Sequence, residues 1–271
     1  MERFSLQTVK KLLNGRTLPV LGLGTYRVAR EAVRASLDRG YRLIDTASCY
    51  DNEEEVGQEV KKSGIPREEI FVVTKVSRRQ HTQLTPHLSL DMDYVDLYLM
   101  HSPEGGKVLE TWDTMIQLKE QGLTRQMTIG VANFNASHLK HLKEARPGHV
   151  PVVNQIEIHP FLAWDECVSY CEEEGIAVMA YSPLTKGRKL RDPSLCKIAE
   201  KYGKTAAQVM IRWSLQRGFI CIPKSSSGER IAENANIFDF DISDQDMKIL
   251  NGLDEHLITD WPGIMNTPWE P

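Results

Sequence analysis

Short runs rich in β-forming residues alternate with amphipathic segments of helical length along most of this sequence. The candidate strands are Val20 to Leu23, Arg42 to Ile44, Phe71 to Thr74, Asp96 to Met100, Thr128 to Val131, Val152 to Gln155, Ala177 to Ala180 and Phe219 to Ile222. Helical candidates lie at Glu31 to Arg39, Glu53 to Lys62, Val108 to Gln121, Ser137 to Ala145, Asp165 to Glu174 and Thr205 to Gln216. This alternation is typical of a parallel sheet whose strands are joined by crossover helices.

Eight strands with helices between them fit a closed (β/α)8 barrel, the TIM barrel, better than an open sheet. A length of 271 residues suits one such barrel, so we expect residues 1–271 to form a single domain. Asn14-Gly15 lies between apolar-rich segments and predicts an N-terminal β-hairpin, because both residues tolerate positive φ. The third β/α unit is shortened, with only a weak helix predicted around Leu84 to Leu90.

Composition limits the possible partners. A formal net charge of −4 gives no global attraction for nucleic acid or anionic lipid. No apolar run is long enough for a signal peptide or a membrane span, so we expect a cytoplasmic protein without nucleic-acid or membrane partners, acting as a monomer. The 5 cysteines are odd in number and lack a metal-ligand spacing, which predicts free thiols and no metal site.

The strand ends carry the first functional signal, since barrel enzymes place their active sites at the carboxyl ends of the strands. Seven successive strands end in a polar or titratable side chain: Asp45, Lys75, His101, Asn133, Gln155, Tyr181 and Lys224. A lone histidine or lysine there is often an ordinary solvated rim residue. Seven together predict a binding site at the barrel mouth.

The last strand carries a second signal. Its segment Ile222-Pro223-Lys224-Ser225 leads through further serines into a short helix that begins near Glu229. Loops in this part of a barrel, with the N terminus of an extra helix, form the usual phosphate site. Lys224 and Arg230 add positive charge. The alternative is an N-capped surface helix with a coincidental lysine.

Three other patterns are assigned no chemistry. Gly22-Leu23-Gly24 lacks the third glycine of a dinucleotide fingerprint and follows a hairpin. The pairs Cys167 with Cys171 and His138 with His141 have helical spacing. Packing or solvent-facing roles are favoured for both pairs over metal ligation.

Several long stretches, in order along the chain, resemble the aldo-keto reductases. They are LPVLGLGTY, GYRLIDTASCYDNEEEVG, VVTK, DYVDLYLMHSP, IGVANFN, VNQIEIHP, AYSPL and IPKSSSGERIAEN. The resemblance implies a barrel enzyme that uses NADPH, without a metal, to reduce small aldehydes or ketones. It identifies the catalytic tetrad as Asp45, Tyr50, Lys75 and His101.

The chemistry of carbonyl reduction suits these four residues. Hydride delivery to a carbonyl carbon creates an alkoxide, which needs a proton donor. Tyr50 would donate, but its ordinary pKa of about 10 is high for this task. We expect Lys75 to lower that pKa and Asp45 to hold Lys75 in place. His101 would hydrogen-bond the substrate carbonyl and orient it.

The resemblance also implies a set of cofactor contacts. Tyr181 would stack on the nicotinamide, and Asn133 and Gln155 would hold its carboxamide. The remaining contacts would be Gly24, Thr25 and Asp45 near the nicotinamide end, Ser182 and Leu184 at the pyrophosphate, Lys224, Ser225 and Arg230 at the 2′-phosphate, and Glu233 and Asn234 at the adenine.

The sequence departs from the family pattern at several places. Ala132 stands where serine is frequent, and Ser102 where a tryptophan often follows the histidine. The segment between Lys75 and His101 is short, and so is the tail with Trp261 and Trp269, which predicts an open pocket for small aldehydes, dicarbonyls or quinones. These departures leave open a cofactor-binding barrel with a structural or regulatory role. The intact tetrad favours a reductase over that alternative and over a sugar-phosphate isomerase.

Overall fold

The chain begins with a two-stranded hairpin. The structure is a computed structural model that describes residues 4–28, 30–77, 89–120 and 128–271. In it, β1 (Val9–Lys11) pairs antiparallel with β2 (Thr17–Pro19). Gly15 lies in the turn with a φ of 82°, a left-handed value that glycine adopts without strain. The predicted hairpin is therefore confirmed.

Eight parallel strands then pair in chain order to form one sheet. Each of the predicted strands overlaps one of them. The strand β5 shows why the strands could be predicted from apolar runs in the sequence. All of its residues are buried, as expected for a parallel strand covered on both faces. The strands are β3 (Leu23–Gly24), β4 (Leu43–Asp45), β5 (Phe71–Val76), β6 (Leu97–Met100), β7 (Thr128–Ala132), β8 (Val153–Glu157), β9 (Ala177–Tyr181) and β10 (Ile220–Cys221).

Contacts between the first and last strands complete the barrel. The Gly22 N–H donates to the Cys221 carbonyl at 2.9 Å, and a parallel bridge joins Gly24 to Lys224. A Cβ atom at Gly24 would lie 3.0 Å from the Ile222 carbonyl oxygen, so glycine permits this close approach. The predicted (β/α)8 barrel with its N-terminal hairpin is confirmed.

The helices pack around the sheet. The six helices predicted between strands are present, and α8 is the short helix expected near Glu229. Helices α6 and α9 were not predicted, although Asp192 and Ser243 cap them by accepting backbone N–H bonds. In the described ranges the helices are α1 (Arg30–Asp38), α2 (Glu53–Lys62), α3 (Val108–Glu120), α4 (Ala136–Ala145), α5 (Asp165–Glu173), α6 (Pro193–Lys201), α7 (Ala206–Gln216), α8 (Gly228–Ala235) and α9 (Asp244–Asn251).

Apolar side chains form two clusters, one between sheet and helices and a smaller one inside the barrel. Neighbouring residues of β5 divide between them: Val72 joins the outer cluster and Val73 the inner one. Leu12 and Leu18 of the hairpin also belong to the inner cluster. The hairpin therefore covers the end of the barrel where the strands begin, which leaves the opposite end for a site.

Some expectations fall on residues that the structure does not describe. The weak helix predicted around Leu84 to Leu90 lies mostly outside the described ranges, as does the end of the third predicted helix at Gln121. The single-domain assignment stays a prediction. Within the described part of the chain, no helix is both long enough and apolar enough to cross a membrane.

Candidate active site

The carboxyl ends of the strands surround a cavity of about 1100 Å³. Lys75 does not line it, because its side chain is fully buried behind the wall. All the other predicted site residues do line it. They are Gly24, Thr25, Asp45, Tyr50, His101, Asn133, Gln155, Tyr181, Ser182, Leu184, Lys224, Ser225, Arg230, Glu233 and Asn234.

Lys75 and Asp45 form a buried ion pair. Lys75 Nζ lies 2.6 Å from Asp45 Oδ1 and donates to the Thr46 carbonyl at 2.8 Å. Gln155 Nε2 donates to Asp45 Oδ2 at 2.7 Å, so both carboxylate oxygens have partners. Burial raises the pKa of Asp45, and the charge and hydrogen bond of Lys75 only partly offset this. Loss of either partner would leave an uncompensated buried charge.

Tyr50 ends a short 3₁₀ helix, Ser48–Tyr50, which follows β4. Lys75 Nζ lies 5.0 Å from the centroid of its ring. The pKa of Tyr50 is nevertheless raised well above its ordinary value, first by burial and next by the negative charge of Asp45. Burial and the Asp45 carboxylate thus outweigh the nearby ammonium of Lys75, so the expectation that the pKa of Tyr50 lies below its ordinary value is wrong for this arrangement. The Tyr50 hydroxyl keeps its proton at neutral pH.

His101 follows β6 and is 7% exposed. Its backbone N–H donates to the Val76 carbonyl at 3.1 Å, and its carbonyl accepts from Asn133 Nδ2 at 2.9 Å. Burial, followed by the charge of Lys75, lowers the pKa of His101 to about 3. The imidazole is therefore neutral at physiological pH and has one N–H to donate.

Three polar side chains come from neighbouring strands: Asn133 follows β7, Gln155 lies within β8 and Tyr181 ends β9. The Tyr181 hydroxyl donates to Asn133 Oδ1 at 2.9 Å. With Nδ2 bonded to the His101 carbonyl, the Asn133 amide already has partners at both ends. Gln155 differs, because its Oε1 has no partner within the described residues while its Nε2 is held by Asp45. Gln155 therefore offers a free amide oxygen to the cavity.

Backbone strain is concentrated near this part of the cavity. Asn133 has a φ of 62°, in the left-handed region that asparagine tolerates. Ser182, Thr185 and Lys186 also have positive φ values, of 46°, 53° and 50°. A hydrogen bond of 2.9 Å from Thr185 N–H to the Ser182 carbonyl helps to hold this turn. Strained backbone of this kind is frequent at binding sites, where the surrounding structure enforces it.

Two cations also line the cavity, one after β10 and one on α8. Lys224 and Arg230 are exposed and line it, and neither forms an ion pair with a carboxylate in the described ranges. Ser225 Oγ accepts from Ser227 N–H at 3.1 Å, so its hydroxyl already takes part in the turn. Ser227 caps α8 by accepting from Arg230 N–H at 3.4 Å. This part of the cavity wall suits an anion.

Glu233 and Asn234 lie one turn farther along α8. Glu233 Oε1 accepts from the Thr205 hydroxyl at 2.6 Å, which ties α8 to the start of α7. The side chain of Asn234 is buried, although the residue borders the cavity. Both residues thus add polar groups beyond the two cations.

Sequence reasoning missed part of the cavity wall. Trp261, noted before only as a tail aromatic, lies with its ring centroid 5.4 Å from that of His101, edge to face at 90°. Tyr26 lies 5.0 Å from Tyr50, ring to ring. Tyr26 and Cys49 could have been predicted as cavity residues, because they follow β3 and β4 closely. The tail residues could not, because no sequence pattern indicates that the tail returns to the barrel mouth. The missed residues include Tyr26, Arg27, Cys49, Lys186, Asp260 and Trp261.

Glu157 fixes the tail segment that carries Trp261. Its Oε1 accepts from both the N–H and the hydroxyl of Thr259, and its Oε2 accepts from Asp260 N–H at 2.9 Å. His159 Nε2 lies 3.2 Å from Oε1. Burial raises the pKa of Glu157, but these hydrogen bonds together outweigh it, and the pKa is lowered overall. The end of β8 thereby anchors one wall of the cavity.

The motifs that were assigned no chemistry have packing roles. Cys167 and Cys171 are buried, and Cys167 Sγ donates to the Phe134 carbonyl at 3.3 Å. His138 forms a capping box at the start of α4, and its ring stacks on Trp269, which lies away from the cavity. Among the residues described, no group of three or more histidine, cysteine or acidic side chains could hold a metal ion.

Comparison with known proteins gives a consistent result. The model of the family described as "Aldo/keto reductase family" matches residues 24–255. A Bacillus subtilis protein named glyoxal reductase is 43% identical over 264 residues, covering 93% of this chain and 94% of the relative. A Mycolicibacterium vanbaalenii aldo-keto reductase is 45% identical over 257 residues, covering 90% and 91%.

Solved structures agree with the sequence comparisons. An aldo-keto reductase enzyme from a Medee basin deep-sea metagenome library superposes with a TM-score of 0.89 at 38% identity, covering 97% of this chain and 100% of its own. An aldo/keto reductase from Brucella melitensis gives a TM-score of 0.85 at 41% identity, covering 91% and 99%.

Proposed function

Because this chain belongs to the aldo-keto reductase family, whose members carry out oxidoreduction of carbonyls, we propose that it is an NADPH-dependent reductase of small aldehydes or ketones. One observation carries this proposal: the same cavity is lined by Tyr50 and His101 and by the cations Lys224 and Arg230, which have no carboxylate partner among the described residues. The first pair suits a carbonyl group, and the two cations suit a phosphate.

The residues present fit a phosphorylated nicotinamide dinucleotide. Gln155 Oε1, which has no partner among the described residues, can accept from a carboxamide N–H. The Nδ2 and Oδ1 atoms of Asn133 each already have one hydrogen-bond partner, so Asn133 has less capacity to bind the carboxamide. A 2′-phosphate carries roughly −1.5 to −2 charges, and in a protein of net charge −4 it needs local cations such as Lys224 and Arg230. When bound, the nicotinamide supplies the hydride for the reduction.

The remaining cofactor contacts follow from positions along the cavity. Tyr181 would stack on the nicotinamide, with Gly24 and Thr25 nearby. Farther along, the pyrophosphate would meet Ser182 and Leu184, the 2′-phosphate would also meet Ser225, and the adenine would meet Glu233 and Asn234.

In the proposed reaction, Tyr50 donates its proton to the carbonyl oxygen as negative charge develops there. Its raised pKa keeps the proton in place until that moment. Lys75, fixed by Asp45, stabilises the tyrosinate that remains. Neutral His101 donates its single N–H to the carbonyl oxygen and orients it.

The cavity wall and the relatives support a small substrate. Trp261 and Tyr26 line the cavity and pack against His101 and Tyr50. Ser102 is buried and does not line the cavity, so no bulky side chain follows the histidine there. The Bacillus subtilis relative is named glyoxal reductase, and we propose short aldehydes and dicarbonyls as substrates, with quinones as further candidates.

A steady-state assay with NADPH and 4-nitrobenzaldehyde or glyoxal tests the proposal. We expect turnover that depends on both partners. Tight NADPH binding without turnover of any carbonyl in a broad panel would favour the structural or regulatory barrel instead. Size-exclusion chromatography and cell fractionation test the further proposals of a monomer and a cytoplasmic location.

A further inference from the structure

Cys49 lies in the cavity wall between the strand end at Asp45 and the proposed proton donor Tyr50. It is exposed, and its Sγ lies 3.5 Å from Nδ1 of His101. A thiol can donate a weak hydrogen bond, and an imidazole nitrogen without a proton can accept one. The contact therefore joins a free thiol to the residue proposed to bind the substrate carbonyl.

The position of one proton decides what His101 can do. Because its pKa is about 3, lowered by burial and by Lys75, the neutral ring carries a proton on Nδ1 or on Nε2 but not on both. Nε2 has no hydrogen-bond partner among the described residues, and it is not one of the polar atoms that are fully buried without a partner. Because His101 lines the cavity, we infer that Nε2 is exposed to the cavity. Only the tautomer with the proton on Nε2 can donate to a carbonyl there.

The other contacts of His101 do not select a tautomer. Its backbone is held by Val76 and Asn133, and those bonds do not involve the ring. Tyr50 and Trp261 pack against the ring at centroid distances of 5.9 Å and 5.4 Å, without a hydrogen bond to either nitrogen. Within the described ranges, Cys49 is the group that touches Nδ1.

We propose that Cys49 is a positioning residue for the reaction: its thiol donates to Nδ1 of His101 and so keeps the ring proton on Nε2, facing the substrate. This inference rests on the proposed function of His101. Removal of part of the thiol from water raises the pKa of Cys49, which outweighs the nearby charge of Lys75, so the sulfur keeps the proton that it donates.

Two substitutions and a matched control test the role. Cys49→Ala removes the donor, whereas Cys49→Ser replaces it with a hydroxyl. Cys196→Ala is the control, because Cys196 is also exposed but does not line the cavity. We expect Cys49→Ala to lower kcat for 4-nitrobenzaldehyde by about twofold to tenfold, the value of one neutral hydrogen bond, with KM for NADPH unchanged. Cys49→Ser should retain most of kcat, and the control all of it.

Nitrogen NMR of protein labelled with ¹⁵N-histidine gives a readout that does not depend on turnover. The His101 signals, assigned by their loss in His101→Gln, should show the Nε2–H tautomer in the wild type and in Cys49→Ser, and a mixture of tautomers in Cys49→Ala. A wild-type ring with its proton on Nδ1, or an unchanged tautomer in Cys49→Ala, would overturn the inference. Absence of carbonyl reduction by the wild type would instead refute the proposed function, and the NMR comparison would still decide the role of Cys49.

Discussion

Glu157 and Thr259 lie 102 residues apart in the sequence, and the carboxylate accepts hydrogen bonds from both the backbone N–H and the hydroxyl of the threonine. Two residues later, Trp261 packs edge to face against His101. The end of β8 thus holds the tail segment that places Trp261 in the cavity wall beside His101. The buried carboxylate of Glu157 therefore helps to fix the position of Trp261 in the cavity wall.

Glu157→Gln should loosen this wall. The amide retains one acceptor but brings an NH₂ group against backbone donors, which should lower the free energy of unfolding by about 1–3 kcal/mol. KM for the carbonyl should rise, and NADPH affinity should change little. Urea unfolding and steady-state kinetics measure both effects, with Glu255→Gln, an exposed acid of the same tail, as the control.

The same substitution should change the acid dependence of stability. The folded pKa of Glu157 lies below its ordinary value of about 4.3. Its contribution to stability is therefore fully present above that ordinary value and disappears as pH falls through the folded pKa. Glu157→Gln should remove this component, so that the difference in stability between wild type and variant shrinks as the pH falls below the ordinary value of about 4.3. A difference that stays constant as the solution becomes more acidic would contradict the assignment.

Tyr50→Phe tests directly whether Tyr50 is the proton donor that we propose. The variant keeps the ring that packs against His101 and loses the hydroxyl, so we expect kcat to fall by about 10²- to 10⁴-fold. NADPH affinity, followed by fluorescence titration, should stay close to that of the wild type. Tyr94→Phe, outside the cavity, is the matched control. A variant that retains most of its turnover would show that another group supplies the proton.

Much of the fold could be predicted because the barrel repeats a local pattern. The bounds of α2 match the prediction, since Glu53–Lys62 places Val56 and Val60 on one buried face. Helices α6 and α9 were missed although both carry N-cap residues. Helix α6 directly precedes α7 without an intervening strand, and α9 follows the last strand, so neither fits the strict alternation from which the other helices were read.

The candidate site was predictable at the strand ends and not beyond them. Side chains such as Asn133 and Gln155 are brought together by the sheet itself. Any parallel barrel places the carboxyl-terminal parts of its strands, and the residues that follow them, around one mouth. The contact of Glu157 with Thr259 depends on how a tail returns to the barrel, and no local pattern encodes that. The direction of the Tyr50 pKa depends on burial and on the short distance between Lys75 and Asp45, which are three-dimensional quantities.

The pH dependence of reduction should be flat across the neutral range. The pKa of His101 is about 3, so its ring stays neutral above about pH 4, and the pKa of Tyr50 is raised, so its proton is present until above about pH 10. The kcat/KM profile should therefore fall only at strongly alkaline pH. An alkaline limb centred near pH 8 and absent in Lys75→Met would restore the role of lowering the Tyr50 pKa that the sequence suggested for Lys75.

Cofactor preference should depend on the two cations that line the cavity, Lys224 and Arg230. Lys224 and Arg230 are exposed and have no carboxylate partner in the described ranges, so a 2′-phosphate would not compete with an existing ion pair. Hydrogen bonds to charged groups contribute about 1.5–3 kcal/mol, and exposure to water places these two near the low end. Each cation should therefore favour NADPH over NADH by about tenfold in affinity.

Arg230→Ala and Lys224→Ala should each weaken NADPH binding by about that factor and leave NADH binding nearly unchanged, because only NADPH carries the phosphate. Fluorescence titrations with both cofactors measure this, and the preference of the wild type should shrink with added salt, which screens exposed charges. Arg191→Ala, an exposed cation that does not line the cavity, should alter neither affinity. Equal losses for both cofactors would mean that these cations bind a part common to the two molecules, and a wild type that prefers NADH would exclude a 2′-phosphate site here.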